Sequence, residues 1–233
     1  RQLSGKTQVF TPASNQFGAS PSEKILYDDA MRTRMSHSIE VAQVARSIAR
    51  ALKLNEDLSE TLALAHDMGH TPFGHSGQDV LNECMKPYGG FEHNIQSLRV
   101  VTDLEHRYME FKGLNLMFET REGILKHCSA KNAQILGDVA WRHREGKSPT
   151  LEAQATDLGD AIAYMCHDID DGIRSGLITP KDFEDVELFG RCWRDVRNRF
   201  KTAPEALQVQ ETLRDMMGFL ICCTIANARQ LLE

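Results

Sequence analysis

Apolar residues recur along most of the chain in steps of three and four, the period that lines one face of a helix. Between Ser36 and Leu54 they are Val41, Val44, Ala45, Ile48, Ala49 and Leu52. Asn55 followed by Glu56 and Asp57 has the form of an N-cap with first-turn acids, and predicts a second helix through Leu58, Leu62 and Ala65. Gly69 stops that helix and Pro72 prevents its resumption. A short helix is predicted from His75 to Met85, closed by Pro87 and Gly89-Gly90. Another runs from Glu92 to Tyr108, with Ile95, Leu98 and Val101 or Thr102 inward. Residues 120–146 hold one or two more, before a break at Gly146–Pro149. Then comes the most regular stripe: Leu151, Ala155, Leu158, Ile162, Met165 and Ile169. Pro180 to Glu233 reads as two further helices, the last with Leu213, Met217, Leu220, Ile221, Thr224 and Ala228 inward. Thr11–Ser22 reads as a loop. No segment alternates with period two, and neither G-x-G-x-x-G nor G-x-x-x-x-G-K occurs. The predicted fold class is all-α.

Composition narrows the class. At 233 residues the chain is long enough for a real hydrophobic core. Its net charge of −6 argues against a protein whose main task is to coat DNA or an acidic membrane. Hydrophobic residues at 41% and charged residues at 26% exclude global disorder. The longest apolar run, Met216–Ile225, falls short of the roughly 18 residues that a membrane helix requires. Arg1–Lys6 shows no secretory apolar region, and Cys84, Cys128, Cys166, Cys192, Cys222 and Cys223 form no C-x-x-C. The expectation is a soluble, cytoplasmic protein with no membrane partner.

The histidines change the picture. Four of nine fall between Leu62 and His93, and imidazole is the commonest metal ligand. His66-Asp67 stands at the end of an apolar helix, just before a glycine stop. Both side chains can there turn toward one point off the helix end, a donor pair suited to a first-row divalent cation. An ordinary capping His–Asp pair is the alternative. The helix from Leu151 carries Asp157, Asp160, Tyr164, Asp168 and Asp171 opposite its apolar stripe. Such a stripe is ordinarily a solvated face, but four acids with little opposing charge repel one another unless a cation sits among them.

Together these segments resemble a known family. Arg32-Thr-Arg-Met-Ser-His37, His66-Asp-Met-Gly-His-Thr-Pro-Phe-Gly-His75, Gly89-Gly-Phe-Glu-His-Asn94 and Asp160-Ala-Ile-Ala-Tyr164 with His167-Asp-Ile-Asp-Asp171 are similar to the HD-domain deoxynucleoside triphosphate triphosphohydrolases, the bacterial dGTPase-like enzymes. Lys6–Phe10 and Glu122–His127 also look like family segments. The resemblance covers residues 1 to about 180. It implies an HD catalytic core over 1–180, with 181–233 as helices packed on or extending it, in a family whose chains are generally longer.

The resemblance further implies one divalent metal ion (Mn²⁺, Mg²⁺, Fe²⁺ or Co²⁺) on His37, His66, Asp67 and Asp160. It implies that His75 handles the catalytic water or leaving oxygen, that Arg34, His70 and His93 contact the triphosphate, and that His93 belongs with His75 and Gln78 in the catalytic group. Tyr164 and Asp168 correspond to sugar-pocket residues, and Gln8 and Val9 to the strip against the sugar. The implied reaction releases deoxynucleoside and inorganic triphosphate from a dNTP. A homo-oligomer, hexamers included, is implied as well, with nucleotide or single-stranded DNA as candidate effector. One position departs: the family has Gly-His-x-Gly-Glu where this chain reads Gly74-His75-Ser76-Gly77-Gln78. Gln78, three residues from His75, is expected to hold its ring but cannot stabilise an imidazolium as an acid would. Two alternatives follow: a nucleotide-responsive binding protein with weak or lost catalysis, or an HD phosphohydrolase of another nucleotide. Spacing alone gives His127 no role, and leaves His167 either near substrate or on the acidic face. His106 and His143 are expected at the surface, and Trp141 and Trp193 as core or interface anchors.

Overall fold

The computed structural model describes residues 32–125 and 130–232. Gln8, Val9, the Lys6–Phe10 segment, the Thr11–Ser22 loop, His127 and Cys128 lie outside them. The described chain is helical, with an isolated bridge between His106 and Gly113. The elements are α1 (Arg34–Leu52), α2 (Glu56–Ala65), α3 (Gly74–Met85), α4 (His93–Arg99) continued by a π-helical turn (Val100–Leu104), α5 (Phe118–Ile124), α6 (Ala130–Ile135), α7 (Trp141–Arg144), α8 (Leu151–Arg174), α9 (Glu187–Arg199) and α10 (Glu205–Leu232). No described helix is long and apolar enough to cross a membrane.

Among the described residues, 33–160 form one compact unit, and Arg32 with 161–232 form a second. In the first, α1 packs on α2. Val41, Ala45, Ile48 and Ala49 are wholly buried, as the stripe predicted. Leu62, Leu98, Val101, Ile124 and Leu125 continue this core, each burial contributing about 1.5–3 kcal/mol. Gly123 lies beneath Leu62, where a Cβ would come within 2.5 Å of Cδ2. The α2 cap is as expected: Asn55 Oδ1 accepts from the Leu58 N–H.

Three expectations are corrected. The helix from Glu92 does not reach Tyr108, because α4 widens into a π turn in which the Glu105 N–H donates to the Val100 carbonyl, and the chain then leaves helix. The β-branched pair Val100-Val101 sits at that change of pitch. On α8, Leu151, Leu158 and Met165 are exposed, whereas Ala153, Thr156, Ala163 and Cys166 are buried. Ala155, Ile162 and Ile169 of the stripe are buried as expected, so the buried face overlaps the stripe and is completed by the small side chains beside it. On α10 the buried positions stop at Met216, so Ile221, Thr224 and Ala228 do not enter the core.

The second unit packs Cys166 and Ile169 of α8 against Phe189 and Trp193 of α9 and Val209, Leu213 and Met216 of α10. Asp170, 1% exposed, is the polar hub of this unit. It accepts from Arg174 Nε at 2.9 Å, Gln210 Nε2 at 2.7 Å and Arg32 Nη1 at 3.3 Å. Three donors are what a buried carboxylate needs to offset its lost hydration.

Candidate metal centre

The start of α1 is fixed by a capping box. Thr33 Oγ1 accepts from the Ser36 N–H, and Ser36 Oγ accepts from the Thr33 N–H at 3.0 Å. This sets the first turn, so Arg34 and His37 face inward and are both buried. At the end of α2, His66 is still helical, and its Nδ1 lies 2.6 Å from the Ala63 carbonyl. A carbonyl can only accept, so Nδ1 carries the proton and Nε2 carries the lone pair. On α8, Gly159 lets the backbone approach Ala45 of α1, since a Cβ there would already be 3.3 Å from the Ala45 nitrogen. That approach brings Asp160 Oδ1 to 2.9 Å from His37 Nε2 and 3.5 Å from His66 Nε2.

His37, His66 and Asp160 offer three ligand atoms within 4.8 Å of one another. Two imidazoles and a carboxylate, converging from three helices with one ring already presenting its lone pair, suit a first-row divalent ion. Asp67 stands beside this group, its Oδ1 3.4 Å from His66 Nε2. Its Oδ2 is held by Arg34 Nη1 at 2.5 Å. Burial works to raise the Asp67 pKa, but the facing His66, Arg34 and His70 outweigh it and hold the carboxyl at about 2. Burial also lowers the pKa of His37, against the pull of Asp160.

A second imidazole group adjoins α3 and α4. His70 lies 5.7 Å from His75 and 5.0 Å from His93 between ring centroids, and His75 lies 6.3 Å from His93. Burial and the Arg34 charge lower the His70 pKa to about 4, so this ring is neutral at neutral pH. The expected hold of Gln78 on His75 is not formed. Gln78 Oε1 instead accepts from the His93 backbone N–H at 3.1 Å and contacts His93 Nδ1 at 2.5 Å. His93 opens α4, and a first-turn N–H has no partner within its own helix, so the amide oxygen goes there.

Tyr164 and Asp168 belong to the second unit. The Tyr164 hydroxyl donates to Asp168, whose pKa is raised by burial. Asp168 lines an apolar cavity of about 390 Å³ with Met165, Ile169, Phe183, Phe189 and Met216. Asp171 is buried too, as is His167, so this end of α8 is not the solvated face that its acids suggest. Burial pushes Asp171 up to about 6, opposed by Arg32 and reinforced by Asp170. His106 is exposed, as expected, while half-buried His143 bonds the Leu125 carbonyl through Nε2 at 2.8 Å. Trp193 is core, and Trp141 lies between Arg142 and Lys147.

One residue that braces the site escaped sequence reasoning. Ser97 Oγ donates to the His66 carbonyl at 3.1 Å and accepts the Gly69 N–H at 2.8 Å. It ties the loop after α2 to α4. Its signal was a pair of small polar residues, Asn94 and Ser97, on the stripe that also carries Leu98 and Val101 inward.

An all-helical unit that converges histidines and aspartate on one point defines a class, and the description "HD domain" matches residues 34–178. The chain belongs to the HD-domain family. Its curated relatives include the deoxyguanosinetriphosphate triphosphohydrolase-like protein of Ralstonia nicotianae, 56% identical over 98% of this chain and 56% of the relative. The protein of the same name from Thiobacillus denitrificans is 54% identical over 98% of this chain and 57% of its own length. That from Bordetella pertussis is 52% identical over 95% and 55%. The chain thus spans little more than half the length of these relatives.

Proposed function

We propose that the protein is a metal-dependent phosphohydrolase that splits deoxynucleoside triphosphates into deoxynucleoside and inorganic triphosphate. The observation that carries the metal-dependent part is the convergence of His37, His66 and Asp160, with Asp67 held alongside by Arg34. These four ligating side chains would hold one divalent ion, of which Mn²⁺, Mg²⁺, Fe²⁺ and Co²⁺ all suit the donor set. When bound, such an ion supplies Lewis acidity at a phosphoryl oxygen.

The chain's own residues supply the rest. Arg34 has guanidinium N–H groups beyond the one given to Asp67, and with His70 and His93 would line the polyphosphate. His75, exposed at the start of α3, would handle a proton of the water or leaving oxygen. Tyr164 and Asp168 are assigned to the sugar, and Gln8 and Val9 to its other side. The substrate class is supported by the names of the relatives and by the motif match; a cytoplasmic, homo-oligomeric protein with a nucleotide or single-stranded DNA effector joins the proposal on the family resemblance alone.

Product analysis with each dNTP and Mn²⁺ or Mg²⁺ is the test. Inorganic triphosphate in one-to-one yield with deoxynucleoside is expected, and release of phosphate or pyrophosphate refutes the reaction. A second reading, a nucleotide-responsive binding protein with weak turnover, is favoured by the neutral amide of Gln78 beside His93. Tight dNTP binding without turnover under any metal would select it, and hydrolysis of a different nucleotide on the same panel would select another HD phosphohydrolase.

A further inference from the structure

The side-chain oxygen of Gln78 meets two atoms of His93, and together they determine the protonation of its ring. The backbone N–H of His93, 3.1 Å away, can only donate. The Gln78 atom facing it must therefore be the carbonyl oxygen, since the amide NH₂ would set donor against donor. The same oxygen lies 2.5 Å from His93 Nδ1. An amide oxygen accepts and never donates, so the proton between them belongs to Nδ1. Among the described residues, the nearby carboxylate of Glu92 makes the weaker contact: its Oε1 is 3.5 Å from Nδ1, beyond an ordinary hydrogen bond. Its two oxygens accept the backbone N–H groups of Asn94 and Ile95 at 3.0 and 3.1 Å.

We infer that Gln78 is a positioning residue that holds His93 in one tautomer, protonated at Nδ1, so that the neutral ring presents Nε2 as an acceptor. This rests on the phosphohydrolase reading only for its catalytic consequence. In that reaction His93 acts as a proton acceptor rather than as a fixed cation against the polyphosphate. A carboxylate in the place of Gln78 would keep the Nδ1 proton but also favour the imidazolium, because an opposite charge at this distance stabilises the charged ring. An amide does the first without the second. Among the described residues, other groups facing the ring include His70, 5.0 Å away between centroids, His75 on α3, and Glu92 at the start of α4. Arg34 and Asp67 act on His70 from behind. Among these, Gln78 makes the short contact with Nδ1.

The test is long-range ¹H–¹⁵N correlation of histidine-labelled protein, with the His93 signals identified by their loss in His93→Gln. Wild-type protein above the titration of this ring is expected to show the Nδ1–H pattern. An Nε2–H pattern overturns the inference. Gln78→Glu preserves both acceptor contacts and should raise the His93 titration midpoint by about 1–3 units. The kcat/KM limb that reports this ring should move upward with it. A change of less than about half a unit, against that range, overturns the inference. Failure of triphosphate release leaves the spectra intact, and a wrong tautomer leaves product analysis intact, so the two readings fail separately.

Discussion

Gly69 sits where the loop after α2 touches the start of α4, and Gly69→Ala is the sharpest test of how the two imidazole groups are held together. The backbone of Gly69 is not in the left-handed region, so conformation alone does not forbid alanine. Space does. A Cβ there would lie 2.2 Å from the Ser97 nitrogen, 2.5 Å from the His93 oxygen and 2.6 Å from the Gln96 carbonyl carbon, all backbone atoms that cannot swing aside. Restoring an ordinary contact needs the loop and α4 to part by about 1 Å, an overpacking that costs about 1–3 kcal/mol. The same movement breaks Gly69 N–H to Ser97 Oγ and Ser97 Oγ to the His66 carbonyl, each contributing about 1 kcal/mol. The expected loss is thus about 3–5 kcal/mol in urea unfolding, a large part of the 5–15 kcal/mol typical of a domain. Because His66 and Asp67 lie on one side of the contact and His93 on the other, activity should fall about 100-fold in whatever fraction stays folded. Gly218→Ala is the control, since nothing lies within 4 Å of a Cβ there; it should be neutral or stabilising by up to about 1 kcal/mol. A Gly69→Ala protein within about 1 kcal/mol of wild type, below the overpacking cost alone, with full activity, would refute the reasoning.

Two further outcomes follow from the same geometry. Asp160→Ala removes the carboxylate that faces both His37 and His66, and should abolish metal content by elemental analysis together with turnover, whereas His75→Ala should keep the metal and lower kcat; the reverse pattern sinks the assignment. Asp171 has a folded-state pKa of about 6 against an ordinary 3.8, so its contribution to stability is complete below about pH 4 and is lost as pH rises through 6, by at most about 3 kcal/mol at 1.36 kcal/mol per unit. The difference in melting temperature between pH 4.5 and 7.5 should therefore shrink in Asp171→Asn, and an unchanged difference would show that Asp171 is ionised without penalty.

Much of this was legible in sequence for particular physical reasons. The α1 stripe and the Asn55 cap depend on contacts within a few residues, and periodicity reports those faithfully. His37, His66, Asp67 and Asp160 stood out because clustered imidazoles and acids on otherwise apolar helices are hard to explain as packing. On α8 the stripe is right at Ala155, Ile162 and Ile169 but not at Leu151, Leu158 and Met165, because small residues make part of the packed face and periodicity of large ones does not register them. In fact Ala163 and Cys166 lie inward while Leu158 and Met165 lie outward. The partner of Gln78 was misjudged for a related reason. Helical spacing put it beside His75, but the unpaired N–H at the start of α4 comes from a segment fifteen residues on, which local spacing does not register. Asp170 and Ser97 were hidden because their partners become neighbours only after the helices pack.

The α3 helix has no buried residue and begins at Phe73, a non-glycine residue in left-handed backbone (φ 63°) whose side chain supplies no cap. Opening it exposes little new apolar surface, so its local unfolding lies far below global unfolding on the free-energy scale, while α1 lies near the top. His75 and Gln78 therefore ride on a segment expected to open readily, and His37 on one expected to persist. Amide protons of α3 are expected to exchange with solvent long before those of α1. A ligand that grips His75 or Gln78 slows that exchange while leaving the ligating helices as they were, and so reports its own binding through the motion it suppresses.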